Sequence, residues 1–476
     1  MELLLLGRRG FHPIGVMKRF RTCTLDQPFL LPPALQEWLP EGHLARFIAD
    51  VAESLNLSEI YSVYERKDGR GLAAYHPLML TRLLLYGYAT GKTSSRRIER
   101  ATYDDVAFRY LSADQHPDHD TIAAFRQQHL EALSKLFAQA LRMCQRAGLV
   151  KLGTVVIDGT KVQANASPAH SMRYKDLDEQ EQRMRALVDG FLADAARVDA
   201  EEDAKFGPGR RGDELPPELA DAKQRLEKLR QAKRELEQEA RQKLEEAEKQ
   251  HQQRKTGRPR KGQEPPPESA AQREKAKKRV SRARRQAQSP TRHYNFTDPD
   301  SRMVYDNGIK TVVQGYNAQL AVDGHAQIVV AAEVTQEVND RQQLLPMAAA
   351  ASAALGQPSQ FLLADAGYWD TVSLLDPSLA PMTVLVSPDG RGGTGGSRLR
   401  PDHLVAVRMR GAIRSGVGKA IYRTRKTIVE PVIGHIKQQR GFRRFALRGL
   451  KKVQAEWKLI CLTHNLLKLH RHTVAA

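Results

Sequence analysis

Met303–Asp323, MVYDNGIKTVVQGYNAQLAVD, decides the fold class of this chain. Its β-branched and aromatic residues surround Asn307-Gly308 and run up to Asp323-Gly324, dipeptides that supply the positive φ of tight hairpin turns. The stretch reads as two antiparallel strands, and Ala326–Thr335, AQIVVAAEVT, follows as a third. Toward the C-terminus, Asp340–Gly356 reads as a crossover helix, Gln360–Asp370 (QFLLADAGYWD) as a strand ending in Asp365, and Met382–Pro388 as another strand. Toward the N-terminus, Leu152–Ala166, LGTVVIDGTKVQANA, is a β-rich run ending at Asp158. Asp158-Gly159 reads equally well as a third hairpin turn. The sum is a mixed α/β sheet. Asp365 then lies where a parallel strand ends, the edge at which open α/β sheets carry their chemistry; the bland alternative is a helix N-cap.

Composition narrows the partners. With 476 residues and 41% apolar side chains, the chain has room for two or three domains and a sizeable core. A formal net charge of +20, with the basic residues in runs, points to a polyanion, and nucleic acid is the first candidate. Cys23, Cys144 and Cys461 are too scattered for a zinc ribbon or a disulfide framework, which suits a reducing cytoplasm. The opening MELLLLGRRG reverses the order of a signal peptide, Met17 is a second candidate start, and no stretch is apolar enough to span a membrane.

Upstream of the sheet, His76–Leu111 reads as helix, stop at Gly91, cap at Ser94 or Ser95, and a second helix carrying Arg96, Arg97 and Arg100. That is a helix-turn-helix pattern with arginines on the element that enters a groove; a bundle with solvated arginines has the same pattern. His116, Asp118, His119 and Asp120 allow a metal cluster, but a capped amphipathic helix beginning at Asp118 or Asp120 explains them better. Ser171–Arg292 is charged, helical and poor in aromatics. Leu219, Ala222, Leu226, Leu229, Leu236, Ala240 and Ala247 follow an alternating three–four spacing, interrupted by Lys233 and Lys243, which reads as a modest coiled coil or a long solvated hairpin. Beyond it, Gly257–Gly262 is similar to a minor-groove AT-hook through Arg258 and Arg260, with a flexible basic linker as the alternative. The domain plan is a 1–28 extension, a 29–150 helical domain with its DNA-binding pattern, a 151–170 first part of the sheet domain, a 171–292 charged insertion, and 293–476 as the remainder of the sheet domain.

Within Lys419–Arg444, KAIYRTRKTIVEPVIGHIKQQRGFRR, Glu430 is the single acid among eight lysines and arginines. A lone carboxylate there either joins a salt-bridged surface helix or holds a metal beside a polyanion. Seven residues separate Glu430 from Lys437, two helical turns and one face. Arg423 and Lys426 share that face only if the helix runs through Pro431. If Asp158, Asp365 and Glu430 converge at one rim of the sheet, their mutual repulsion calls for divalent cations, and hard oxygen ligands select Mg²⁺ or Mn²⁺.

The blocks VIDGTKVQANAS, GYNAQLAVD, LLADAGYWD and VEPVIGHIKQQRGFRRFALRGLKKVQAEWKLICLTHNLLKL together resemble DDE transposases of bacterial insertion sequences, and HPLMLTRLLLYGYATGKTSSRRIE with PDHDTIAAFR is similar to the N-terminal domain of one large subgroup. The resemblance runs from about Phe29 to His470, apart from the charged insertion. It implies a ribonuclease-H-like α/β catalytic domain, Asp158, Asp365 and Glu430 as catalytic and metal-binding triad, and Mg²⁺ with Mn²⁺ as substitute. It also implies Lys437 as the lysine seven beyond the glutamate, and cleavage at transposon ends followed by strand transfer into target DNA. The implied partners are terminal inverted repeats and target DNA, held by a homodimer or higher oligomer in the cytoplasm at the nucleoid. The family signature has tyrosine seven and arginine four residues before the glutamate, where this chain has Arg423 and Lys426; Tyr422 stands one position off that register. A metal-dependent nuclease without strand transfer would use the same residues, and an inactive or regulatory DNA-binding copy would keep only the basic surfaces.

The seam of the insertion is too poor in large apolar residues to be part of a core. Deleting Gly207–Arg285 should leave the sheet folded, weaken DNA binding and flatten its salt dependence, because fewer counterions are released. An unchanged salt slope in the deletion variant would instead make the segment a protein-interaction arm.

Overall fold

The computed structural model describes residues 34–65, 74–206, 217–256, 280–281, 285, 292–306, 308–389 and 404–475. The 1–28 extension and the AT-hook-like pair Arg258 and Arg260 lie outside them. The first helices are α1 (Leu44–Ser54), α2 (Ser58–Glu65), α3 (Pro77–Ala89), α4 (Ser95–Asp104), α5 (Val106–Leu111), α6 (His119–Gln128) and α7 (Leu130–Arg146). Pro77 occupies the first turn of α3, where no N–H is needed, and Gly91 at φ +77° follows its end. Helix α4 buries Ile98, Ala101 and Thr102 and leaves Arg96, Arg97 and Arg100 exposed, Arg100 paired with Asp104 at 3.4 Å. Asp118 caps α6 by accepting from the Thr121 amide at 2.6 Å, and His119 faces Glu99 at 2.8 Å. The helix-cap reading of His116–Asp120 is therefore the one the fold adopts.

The sheet contains β1 (Thr154–Gln163), β4 (Arg302–Asp306), β5 (Thr311–Asp323), β6 (Ile328–Thr335), β7 (Phe361–Ala364) and β8 (Thr383–Val386). β5 runs antiparallel to β1 along one edge, and on its other edge meets β4 and then β6. β7 and β8 continue the sheet parallel to β1. Between β5 and β6 the chain turns over residues 324–327, and the positive φ falls on Gln327 at +59° and not on Gly324, so the hairpin forms without the tight Asp323-Gly324 turn the dipeptide suggested; Asn307 of the other expected turn lies outside the described residues. Asp158-Gly159 does not turn: β1 passes through it to Gln163, because its register with β5 is unbroken from Val155↔Asp323 to Gln163↔Gly315. Gly315 marks a close approach, since a Cβ there would lie 2.6 Å from the Val162 carbonyl oxygen.

Between β1 and β4, the short strands β2 (Ser171–Arg173) and β3 (His293–Asn295) pair at the base of a hairpin of α8 (Tyr174–Phe206) and α9 (Pro217–Thr256). Leu177 packs with Leu229, Ala232 and Leu236, and Val188 with Ala222 and Leu226. Lys233, which breaks the apolar seam, reaches across to Asp178 and Glu181 at 2.5 and 3.2 Å. Lys243 bridges Glu239 and Glu337, and Glu239 pairs with Arg302 of β4 at 2.8 Å, so ion pairs rest the hairpin on the sheet edge.

The sheet is followed by α10 (Leu344–Leu355), α11 (Thr371–Leu374), α12 (Leu404–Arg414), α13 (Gly416–Gly434) with a π-helical turn at His435–Gln439, and α14 (Leu450–Ala475). α10 covers one face of the sheet, while α14 packs against β6 and against α3 and α7. It also caps the open edge of β6. Gln454 accepts from the Val334 amide and donates to Ala332 O at 3.0 Å, and Asn465 exchanges two 2.8 Å hydrogen bonds with Val329. Side-chain amides thus take the place of a neighbouring strand at Val329, Ala332 and Val334. Buried Arg440 donates to Tyr88 O at 2.9 Å and to Ile460 O at 3.2 Å, tying the end of α3 to α14. Among the described residues no helix is long and apolar enough to cross a membrane.

Trp457 on α14 is fully buried, meets Phe445 edge-on and donates its indole N–H to Gln319 O at 3.0 Å. Trp457→Ala should cost about 3–5 kcal/mol, read as a lower denaturant midpoint. A loss below about 1 kcal/mol would mean that α14 is not the packing element joining sheet and helices.

Candidate active site

Asp158 and Asp365 are brought side by side by strand register. The parallel pairing of β1 with β7 ends at Ile157↔Ala364, so the next residue on each strand is an aspartate. Asp365 directly follows the parallel strand β7, and it is also an N-cap: its carboxylate accepts from Gly367 N at 2.8 Å, opening a 3-10 turn. Asp158 accepts from Gly159 N at 2.8 Å. Its side chain is only 19% exposed. Burial, and then the charge of Asp365, push its carboxyl up to about 7; the Gly159 amide and the Arg425 guanidinium pull the other way, and Asp340 adds to the rise.

Helix α13 presents its inner face to this pair. The helix continues through Pro431 into the π turn. Ile428, Val429, Val432 and Ile436 are buried, and that stripe fixes the rotation. On the same side, Arg425 Nη1 comes to 3.8 Å from Asp158 Oδ2, and the Tyr422 hydroxyl donates to Ala364 O at 3.2 Å. Arg423 and Lys426, the positions implied by the family signature, point outward and are exposed. Tyr422 and Arg425 take the place beside the aspartates that the signature spacing gave to the other two. The apolar stripe at three- and four-residue spacing was the available signal for this register.

Glu430 also lies outside the pair. Its side chain is 60% exposed, with Lys426 Nζ at 4.0 Å. Lys437, two turns on, is turned inward: it donates to Lys161 O at 2.8 Å and Thr160 Oγ1 at 3.2 Å and has Asp306 at 3.8 Å. Burial lowers its ammonium below the ordinary lysine range, with Asp306 opposing. The π turn begins after Glu430 and contains Lys437, which shifts the helical phase, so the two do not project together as a regular helix would have them. Among the described residues no three His, Cys, Asp or Glu side chains form a group that could hold a metal ion.

A third carboxylate near the pair was not anticipated. Asp340 lies in the segment between β6 and α10, where it accepts from Asn317 Nδ2 at 2.7 Å and Gln319 Nε2 at 2.8 Å, with Lys161 Nζ at 3.5 Å. Gly159 makes room for it, since a Cβ there would lie 2.5 Å from Asp340 Oδ1. The signal was two amides, Asn317 and Gln319, on one face of an otherwise apolar strand. With so many donors, Asp340 braces the strands rather than offering itself as a ligand.

Two carboxylates, partly open to solvent, suit an ion such as Mg²⁺ or Mn²⁺. Such ions keep several waters and take one or two protein carboxylates plus phosphate oxygens. Asp158 and Asp365 are the residues that fit it.

Residues 33–128 match a family described as a transposase domain (DUF772), and residues 396–470 match a transposase DDE domain. The first match covers α1 to α6, and the second covers α12, α13, the π turn and most of α14. Together they support a DDE transposase, an enzyme of DNA transposition that acts on DNA. No curated protein matches the chain, and no solved structure does.

The raised Asp158 carboxyl makes stability depend on pH in a definite direction. Between about pH 4 and pH 7 the folded chain holds a proton that the unfolded chain has lost, so stability falls as pH rises through that window and the full penalty remains above it. Asp158→Asn removes the penalty. The variant should gain on the order of 2–4 kcal/mol over wild type near pH 8 and nothing near pH 4, read from thermal unfolding at the two pH values. An equal difference at both would mean that Asp158 titrates normally.

Proposed function

We propose that this chain is a transposase that cuts DNA at the ends of a mobile element and joins those ends to target DNA, using Asp158, Asp365 and Glu430. The observation that carries the reading is the register-enforced Asp158–Asp365 pair, within a chain matching transposase domains in its N-terminal and C-terminal parts. The strand order β6-β5-β1-β7-β8, three antiparallel strands continued by two parallel to β1, supports a ribonuclease-H-like catalytic fold. Glu430 is assigned because it falls within the DDE-domain match on the helix that lies against the pair.

A bound Mg²⁺ or Mn²⁺ would supply Lewis acidity and a more acidic water or hydroxyl at the scissile phosphodiester. The rest is done by side chains. Asp158 and Asp365 present hard oxygens at a fixed spacing, and Asp158 must lose its proton before it can serve as a ligand. Arg425, seated against Asp158 by its helix, gives a cationic neighbour for a phosphate oxygen brought to the pair. Tyr422 keeps that helix on the end of β7 through Ala364. Lys437 holds the π turn against β1 and brings positive charge next to the same strand. Arg423 and Lys426 on the outer face of α13, and Arg96, Arg97 and Arg100 on α4, are exposed cations suited to DNA phosphates. With the insertion and its Arg258 and Arg260, they would hold the terminal repeats and target, on a homodimer or higher oligomer.

Asp158→Ala, Asp365→Ala and Glu430→Gln should each abolish end cleavage by more than a hundredfold while leaving gel-shift binding to terminal-repeat DNA within a few-fold of wild type. Cleavage persisting in any one variant removes that residue from the set. Wild-type protein that cuts but gives no joined product is a nuclease; binding with no cleavage at any Mg²⁺ or Mn²⁺ concentration makes it a regulatory copy.

A further inference from the structure

A cleft of about 590 Å³ opens where the start of β1 and the β5–β6 turn meet α13 and α14, away from the aspartate pair. Its walls include Lys151, His325, Gln327, Thr424, Thr427 and Lys468, and its single carboxylate is Asp323. That carboxylate is already engaged, accepting from the Leu152 and His325 amides at 3.0 and 2.9 Å. Lys468 is half buried and donates to the neutral Gln327 Oε1 at 2.7 Å; burial and then Arg471 lower its ammonium. Lys151 is exposed at the cleft wall.

The wall is a constructed one. Gln327 adopts φ +59°, a conformation costly for a side-chain-bearing residue, and its amide bridges from Lys468 to Thr427 O at 2.9 Å. Behind it, His464 Nε2 donates to Gln327 O at 3.1 Å, so its Nδ1 accepts from His435 Nδ1 at 3.0 Å and both rings are neutral. Burial, with Arg440, Arg471 and Lys468 after it, takes His435 down to about 4. Two lysines, Lys151 and Lys468, thus face one carboxylate, Asp323, and the neutral histidines behind them add no charge, so the lining is cationic on balance.

Thr154 in the cleft is four residues before Asp158 on the same strand, about 13 Å at the usual rise. Charges follow one another every few ångströms along a DNA strand, so the two places are a few nucleotides apart at most. We infer that this cleft docks a backbone phosphate of the DNA strand, a few nucleotides from the bond presented to Asp158 and Asp365. The inference rests on the DNA-acting reading above and adds to it where the strand runs.

The test uses the full chain and a fluorescent duplex, with binding measured by anisotropy across a salt series. Lys151→Gln and Thr424→Glu alter exposed side chains and should each lower the slope of log affinity against log salt by about one, whereas Thr424→Lys should raise it by about one. Lys468→Gln should lower it as Lys151→Gln does, with melting unchanged in the two exposed-site variants. Asp158→Asn, run alongside, should keep the wild-type slope while losing cleavage, so failure of the cleft and failure of the catalytic reading are separate results. Slopes unchanged in Lys151→Gln and both Thr424 variants overturn the inference. So does a rise in melting temperature with inorganic pyrophosphate that Lys151→Gln abolishes without any change in slope, which would make the cleft a site for a free phosphate compound.

Discussion

Everything at the candidate site depends on one register. β1 and β7 run parallel and in step until Ile157 and Ala364, and each strand then places an aspartate. Two carboxylates brought together repel, and the repulsion adds to the cost of burying Asp158. The sheet, not the site, holds them there: β1 is clamped by β5 along nearly its whole length and by β7 on its other edge. The strain appears as a proton that Asp158 retains toward neutral pH, the state that a divalent cation would relieve.

The helices answer the same constraint from outside. α14 satisfies the open edge of β6 with Gln454 and Asn465 and gives the helical N-terminal region a surface to pack on, so the exposed arginines of α4 are carried on the same core as the aspartates. α13 is fixed by its apolar stripe, which turns Tyr422 and Arg425 inward and Glu430 out. The cleft on the other flank of α13 arises from the same packing, since Ile428 fills the space against Gly324 and leaves Thr424 and Thr427 at its rim.

Glu430 and Lys437 show how one turn of backbone changes a functional reading. In a regular helix a seven-residue spacing puts both on one face. The π turn at His435–Gln439 widens the helix where Lys437 falls, and Lys437 is drawn onto the carbonyl of Lys161 while Glu430 stays in solvent. A carboxylate with this freedom is cheap to move, and its neighbour at 4.0 Å is an exposed lysine whose hold on it is weak.

The sequence by itself determined the parts that depend on local chemistry. Runs of β-branched and aromatic residues marked the strands of the sheet, Asp118 and Gly91 marked helix ends, and Asp365 was legible as the acid at a strand end. The apolar seam of the insertion was legible too, and Lys233 looked like a flaw in it. Tertiary structure decided the rest, because it depends on which distant segments meet. Asp158-Gly159 has the chemistry of a turn, and only pairing with β5 on one side and β7 on the other keeps it extended. Tyr422 and Arg425 differ from Arg423 and Lys426 by a single position, a choice made by helix rotation against the sheet. Asp340 acquired its place from Asn317, Gln319 and Lys161, on strands separated from it by up to 179 residues; the amides on β5 show that a polar partner is needed, and only the fold shows which one.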